Sequence, residues 1–380
     1  MGRHLVLVGG GHAHLTCLKD LKHIVARGHE VTLVSPTAYH YYSGMGPGML
    51  GGTYLPQEIR FNIKSMAKTA GAEFVKAAVL RVDSQARQLF LDSGSAIPFD
   101  VASFNTGSSI PFHAVSITDC KNVFTVKPII NLLQARRIIL ENLFNRNLHL
   151  LVVGGGPAGL EIAGNTWKLI HDYRGGAQIT LVAGSRLLGG FPKRVRSLAY
   201  RSIEARQIEI IEGTHLDSLK HGYGRLVDGR QLPFDVALLA LGITPAPLFA
   251  DSGLATGLDG GLLVNEYLHA VDHPNIFGGG DCISFQPRPL DKVGVYAVRQ
   301  NPILYHNLLA ALEDRPLKPF QPQSDYLLIF NLGDGTGIFW RKNWVWNGRL
   351  AFMLKNHIDR KFMRKFQISN ETQESSDTDI

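Results

Sequence analysis

Cysteine is scarce in this chain: 3 among 380 residues, at Cys17, Cys120 and Cys282. Three thiols so widely spaced exclude a disulfide framework and a cysteine-built zinc site, and no other metal site is expected. No Cys-x-x-Cys occurs and no cysteine pair follows the first strand, which excludes a dithiol redox centre there. Long apolar runs are missing too. Mean hydropathy is +0.01, and no window approaches the run of about 18 uncharged apolar residues that a membrane span requires. The first strand begins within a few residues of Met1, leaving no room for a secretory signal peptide, so cytoplasmic residence is expected. Acidic residues are outnumbered, 32 against 39 Lys plus Arg, for a net charge of +7. That surplus suits anionic partners in general. No recognition motif for nucleic acid accompanies it, so nucleic-acid binding is not expected.

Glycine, by contrast, is abundant and patterned. LVLVGGGHAHL, Leu5 to Leu15, reads as a buried strand running into a turn at Gly9, Gly10 and Gly11 and then a helix opening on His12 and Ala13. This is the start of a dinucleotide-binding βαβ unit: Gly9 makes the tight turn and Gly11 lets the backbone approach a pyrophosphate at the helix N-terminus. The third glycine of the fingerprint is replaced by His14. Ser35, at the end of the next strand, stands where an Asp or Glu usually holds the ribose, and a hydroxyl bonds less strongly than a carboxylate. The aromatic and glycine-rich stretch Tyr39 to Tyr54 reads as a ligand loop, with Ser43 and Gly44 offering backbone donors to a phosphate or flavin ring. A helix over residues 59–70 and alternating, antiparallel-type segments then return the chain to the sheet at Thr106 and Gly107.

A helix from about Lys127 to Phe144 leads to a second strand-turn-helix over Leu148 to Tyr173. Here the fingerprint is complete, with Gly154, Gly156 and Gly159 in place, Pro157 and Ala158 opening the helix, and Glu161 two residues beyond. The following strand ends at Ala183 without an acid. Ser185 and Arg186 come next, and an arginine there can take the 2′-phosphate of NADPH, so the spacing leaves NADH and NADPH both open. The chain comes back through Gly242. NIFGGGDCISF then sets Gly280 and Asp281 at the end of a buried strand, where a carboxylate suits the ribityl hydroxyls of a flavin. A helix over Val293 to Leu312, carrying Ala297 and Gln300, aims its start at the flavin ring.

The expected class is α/β with two Rossmann-like βαβ units. A discontinuous FAD domain, residues 1–115 and 243–315, encloses an NAD(P) domain, residues 116–242. A small C-terminal α+β region, residues 316–367, ends in a helix over Leu350 to Phe366, and residues 368–380 are expected to be a disordered tail. In that helix Leu354, Ile358, Phe362 and Phe366 recur every four residues as an apolar stripe, with Lys355, Arg360, Lys361, Arg364 and Lys365 largely elsewhere around it. Such a helix either lies on an anionic membrane surface or packs its stripe on the FAD domain.

Two glycine fingerprints, the Thr-Gly return strand and the late GGGD resemble the two-dinucleotide-binding-domain flavoproteins. Within them the chain resembles type II NADH dehydrogenases and sulfide:quinone oxidoreductases. It is most similar to FAD-dependent oxidoreductases found alone or fused to selenide, water dikinase, on the stretches VGGGHAHL, VTLVSP, YYSGMGPG, VKPI, GVYAVRQNP and DRKFMRKF. The resemblance covers nearly all of residues 4–366. It implies FAD in the first unit, NAD(P)H in the second and a quinone acceptor; a peripheral place on the inner face of the membrane is left open with the terminal helix, as is a homodimer. It gives Glu161 the position beside the nicotinamide and matches Gln300 to a glutamine of the quinone pocket, whereas Gly294 and Val295 replace the Ala-Gln pair found there. The competing functions are a sulfide:quinone oxidoreductase, which needs two cysteines near the flavin, and an accessory flavin module in selenium metabolism.

Overall fold

The computed structural model describes residues 2–110 and 115–374. Four early strands, β1 (His4–Val8), β2 (Glu30–Val34), β3 (Glu73–Val75) and β4 (Val101–Phe104), lie parallel. A second parallel sheet comes next in the chain, of β5 (Val123–Thr125), β6 (Leu148–Val153), β7 (Ala177–Val182), β8 (Glu209–Ile211) and β9 (Val236–Leu239), in the order β5-β9-β6-β7-β8. The chain then returns through β10 (Ile276–Gly278), which completes the first sheet as β10-β4-β1-β2-β3. The first sheet is therefore interrupted in sequence by the second, as the two fingerprints imply. Leu5 to Val8 and Leu150 to Val153 are all buried. Such unbroken apolar runs are what strands covered on both faces require.

Among the longer helices are α1 (Pro157–Asp172), α2 (Lys193–Glu204), α3 (Gly294–Leu312) and α4 (Arg349–Phe366). Antiparallel elements decorate the sheets, among them Val79–Asp83, Gln88–Leu91 and Ala96–Pro98 beside the first, and Leu328–Asn331, Gly337–Arg341 and Trp344–Gly348 before α4.

Three expectations change. The helix expected over residues 59–70 starts only at Ile63, because Arg60–Asn62 pairs with Tyr39–Tyr41 and Asn62 caps the helix, its Oδ1 accepting from Ser65 N at 2.9 Å. The stretch expected as a loop folds instead into a turn, Ser43–Met45, and a short buried helix, Gly46–Leu50. Part of the acidic tail is ordered: Glu371 is buried with its Oε1 accepting from Asn62 N at 3.1 Å, and Glu374 pairs with Arg60 at 3.0 Å. Two buried or half-buried carboxylates opposite a buried arginine hold residues 369–374 down. The rest of the expected tail, residues 375–380, lies outside the described residues.

The terminal helix divides its stripe. Phe362 and Phe366 pack inward, Phe362 against Tyr42 at 4.8 Å between ring centroids and against His12 at 6.0 Å, while Leu354 and Ile358 are exposed. Lys355, placed by sequence among the solvated charges, is buried. Its Nζ donates to Asp359 Oδ2 at 2.6 Å and to Gly44 O at 2.7 Å, and Asp359 Oδ1 accepts from the Tyr42 hydroxyl at 3.0 Å. A buried ammonium keeps its charge only with such partners.

Candidate active site

Both parallel sheets end at one cavity. Register pairs Val8 with Val34 and Phe104, and Gly278 with Phe104, so Gly9, Ser35, Asn105 and Gly279 leave the first sheet along one edge. On the second sheet Val153 pairs with Val182 and Leu239, which sends Gly154, Ala183 and Ala240 out along its edge. Between the two edges lies a continuous cavity of about 1680 Å³. Ligands of open parallel sheets sit outside the carboxyl ends of the strands, and here two such ends share one space.

The two glycine turns are built differently. Gly9 has φ +82°, and a Cβ on it would lie 2.5 Å from Asn105 O. At the second turn a Cβ on Gly159 would lie 1.8 Å from Gly154 O, so only glycine lets α1 approach β6. His14 occupies the corresponding place in the first turn without a clash. Its ring lies fully buried, Nδ1 2.6 Å from Gly9 O and Nε2 2.8 Å from Ser103 Oγ. A carbonyl can only accept, so Nδ1 carries the proton and the serine hydroxyl donates to Nε2. The imidazole thereby replaces a backbone contact with two hydrogen bonds.

His14 also has a pH consequence. Burial lowers its folded-state pKa from 6.5 to about 4. The unfolded chain takes up the proton first, so the stability contributed by the neutral ring is complete above pH 6.5 and is lost as pH falls towards 4. At pH 5 that loss is about 2 kcal/mol. Urea unfolding at pH 7.5 and pH 5 is expected to show it, and His14→Asn is expected to flatten the pH dependence. Equal slopes for the two proteins would remove His14 as the source of the pH dependence.

Most of the residues singled out by sequence line the cavity. Gly9, Gly11, His12, Ser35 and Ser43 do so from the first turn and its surroundings, and Thr106, Gly107, Gly280, Asp281 and Ala297 from the far side of the first sheet. Gly154, Gly156, Pro157, Ala158 and Gly242 line it from the second. A Cβ on Gly156 would meet nothing within 4 Å, so the start of α1 presents open backbone to the cavity. The Nε2 atoms of His12 and His40, whose rings meet edge to face at 4.8 Å, are buried without a hydrogen-bond partner among the described residues. Both rings line the cavity. In the first turn a Cβ on Gly11 would instead meet Asn105 Oδ1 at 2.3 Å, so that glycine makes room for Asn105. Two glycine turns, the second of them open at Gly156, with a carboxylate acceptor and unpartnered ring nitrogens fit an extended dinucleotide with polar ring edges.

Four residues stand behind the wall. Ala13 N donates to Asn105 Oδ1 at 2.9 Å, and Gly44 O accepts from Lys355. Gln300 is buried, its Oε1 accepting from Gly280 N at 2.7 Å, so it holds the turn that presents Asp281. Glu161 is half-buried; its Oε1 accepts from Asn331 N at 2.7 Å, and burial pushes its carboxyl up to about 7 against the opposing charge of Lys355.

Sequence reasoning missed Lys127, Ser108 and Asn105. Lys127 Nζ donates to Asp281 Oδ2 at 2.6 Å and to Ser108 Oγ at 3.0 Å, bridging the two sheets. Asn105 ties the first turn to the late one, Nδ2 donating to Gly279 O at 2.6 Å. The only local signal for either was position: Asn105 precedes the Thr-Gly pair, and Lys127 opens the segment VKPI.

A family profile described as pyridine nucleotide-disulphide oxidoreductase matches residues 3–306. The chain belongs to that family. Among its sequence relatives are the type II NADH:quinone oxidoreductases of Staphylococcus saprophyticus and Staphylococcus aureus, each 25% identical over 96% of this chain and 96% of the relative. Among solved structures, NDH2 from Plasmodium falciparum in complex with NADH superposes with a TM-score of 0.81 at 14% identity, covering 98% of this chain and 99% of that one. The sulfide:quinone oxidoreductase of Aquifex aeolicus gives 0.78 at 18% identity, covering 98% and 93%. These two likenesses concern the fold. As a pyridine nucleotide-disulphide oxidoreductase by family, the protein nevertheless has no paired cysteines at the cavity: Cys17 and Cys282 are buried free thiols, and Cys120 packs against the second sheet.

Proposed function

We propose that the protein is a flavoenzyme that holds FAD along the first sheet, receives hydride from NAD(P)H held along the second, and passes electrons to a quinone. The observation that carries this reading is the single cavity bounded by two glycine turns on two parallel sheets. The relatives named NADH:quinone oxidoreductase, matched end to end, support the choice of donor class and acceptor.

FAD, when bound, supplies an acceptor for hydride and an outlet for electrons singly or in pairs. The chain supplies the rest. Gly9, Gly11 and His12 would hold the pyrophosphate and Ser35 the ribose; Ser43, Thr106, Gly107 and Ala297 would surround the flavin, and Asp281 would accept from its ribityl hydroxyls. Gly154, Gly156, Pro157, Ala158 and Gly242 would cradle the nicotinamide dinucleotide. The start of α3 lines the cavity at Gly294, so the positive end of a 19-residue helix faces it and would favour the negative charge of a reduced flavin held there. Glu161, pushed up to about 7, can hold or release a proton near neutral pH and sits within electrostatic reach of Lys355 and Asp359. Gln300 acts by positioning Gly280 and Asp281.

The sulfide reading is disfavoured by the same cavity, since Cys120 lies away from its lining and Cys17 and Cys282 are buried thiols pushed up by desolvation. Anaerobic titration decides among the readings. NADH or NADPH is expected to bleach the bound flavin, and a soluble quinone to restore it, whereas sulfide leaves it oxidised. Flavin that neither nucleotide bleaches would overturn the enzyme in favour of an accessory flavin module.

A membrane surface suits the outer face of α4. No helix among the described residues is long and apolar enough to cross a membrane. Leu350 is 71% exposed, Met353, Leu354 and Ile358 are exposed too, and Trp344 nearby in the chain is 75% exposed. Lys361 and Lys365 are exposed on the same helix. Apolar side chains flanked by cations suit an anionic lipid surface on the inner face of a membrane. Leu354→Glu with Ile358→Glu is expected to cut co-sedimentation with anionic vesicles several-fold and leave flavin content intact. Unchanged sedimentation would retire the surface assignment.

A further inference from the structure

We propose that the nicotinamide dinucleotide of this protein is the 2′-phosphorylated one, NADPH, and that Arg186, with Ser185 and His215, forms the phosphate-binding corner of the second crevice. This assignment rests on the flavoenzyme reading and sharpens it.

In a parallel βαβ unit the adenosine ribose lies at the end of the strand that follows the glycine helix, and the side chain there chooses the cofactor. A carboxylate takes the 2′-hydroxyl and repels a phosphate; a cation takes the phosphate. Here that strand is β7. The position just past it is Ala183, followed by Gly184 in the left-handed region at φ +70°, then Ser185 and Arg186, and all four line the cavity. His215 lines the same corner, its Nε2 3.2 Å from where a Cβ on Gly184 would stand. Among the described residues lining the cavity Asp281 is the one acid, and it belongs to the first sheet's edge, paired with Lys127.

One other carboxylate comes near, and it is occupied. Glu212, at the end of β8, does not line the cavity. Its Oε1 accepts from Leu187 N at 2.6 Å and from the Tyr200 hydroxyl. The carboxylate thus clasps the segment carrying Arg186 to the neighbouring strand and faces its backbone. Arg186 is the arginine that lines this corner; its charge and that of Arg196, which stands outside the lining, both act on the Tyr200 hydroxyl. The Arg186 side chain is exposed, with no carboxylate paired to it among the described residues. A phosphate monoester satisfies such donors, in the bidentate geometry a guanidinium favours, where a ribose hydroxyl cannot.

The test is calorimetric titration of the oxidised holoprotein with NADP⁺ and with NAD⁺, which reads affinity without turnover. NADP⁺ is expected to bind roughly ten- to a hundredfold more tightly, with an advantage that shrinks as salt rises. Arg186→Gln, at an exposed position, is expected to bring NADP⁺ down to the affinity of NAD⁺ while leaving NAD⁺ affinity and flavin content unchanged. Equal or tighter binding of NAD⁺, or a preference that survives Arg186→Gln, overturns the proposal. In that case bleaching of the flavin by NADH shows that the enzyme reading stands and only the cofactor choice falls; a holoprotein that binds neither nucleotide and is bleached by neither brings both down.

Discussion

Asp281→Ala protein is expected to emerge from purification with little or no flavin, and to bind added FAD at least tenfold to a hundredfold more weakly than the parent. Asp281 follows Gly280, whose φ of +75° turns the chain towards the cavity and whose amide is held by Gln300 at 2.7 Å. One oxygen of the carboxylate, Oδ2, is fixed by donation from Lys127 at 2.6 Å and Ser108 at 3.0 Å. Each hydrogen bond from a ligand hydroxyl to a fixed carboxylate is worth about 1.5–3 kcal/mol, or roughly one to two orders of magnitude in affinity. The alanine variant loses every such bond and leaves the Lys127 ammonium without its anion. Gln300→Ala is expected to weaken binding in the same direction and less severely, since it loosens the turn but keeps the carboxylate. The ratio of flavin to protein absorbance, with FAD titration of stripped protein as a second step, measures both. Stoichiometric flavin in Asp281→Ala would remove this residue from the site.

The second large effect is on stability. Asp359→Asn is expected to lower it by about 3–5 kcal/mol, the usual cost of leaving one member of a buried ion pair without the other. Lys355 and Asp359 stand one turn apart on α4 with side chains only 11% and 6% exposed, so water cannot take over the lost interaction. Asparagine keeps one oxygen in place of two, so only one of Lys355 and the Tyr42 hydroxyl retains its acceptor. Thermal melting should shift down, and limited proteolysis should cut near α4 sooner. Replacing both charges, Lys355→Met with Asp359→Leu, is expected to recover much of the loss, because the desolvation of two ions disappears along with their attraction. If the single variant melts like the parent, the pair does not clamp the helix. A pH profile gives an independent reading: Lys355 holds the Glu161 carboxyl down, so Lys355→Met should push Glu161 further above 7.

What could be read from the sequence was whatever a local backbone demand forces onto residue identity. Gly9, Gly154 and Gly280 have positive φ, and Gly159 must admit a carbonyl at a distance that no Cβ permits, so the glycine spacing announced two nucleotide turns and the late acid. Apolar runs such as LVLV and LLVV announced strands covered on both faces. What escaped was set by contacts between distant segments. Lys127 meets Asp281 across 154 positions, and Lys355 meets Gly44 across 311, and neither residue carries a local mark of its partner. His14 shows the same limit from the other side: it looks like damage to the fingerprint until Ser103, 89 residues later, supplies its second hydrogen bond.

The terminal helix illustrates how a correct element can carry a wrong face. Apolar residues every four positions advance by about 40° around the axis at each step, because a turn takes 3.6 residues. The stripe from Leu354 to Phe366 therefore winds around the helix by about 120°. It begins on the solvent side at Leu354 and Ile358 and ends inside at Phe366. The buried line instead runs through Ala351, Lys355, Asp359 and Met363, and two of those four are charged.

That helix grips the floor of the cavity with one flank, through the Lys355 bond to Gly44 and the contact of Phe362 with His12, and turns its other flank outward. Whatever leans on the outside therefore leans on the chamber as well, and the two loads share one lever. A surface that favoured the helix in this pose over another would tighten the hold on a nucleotide in the first crevice, and a filled crevice would then strengthen attachment to that surface by the same factor.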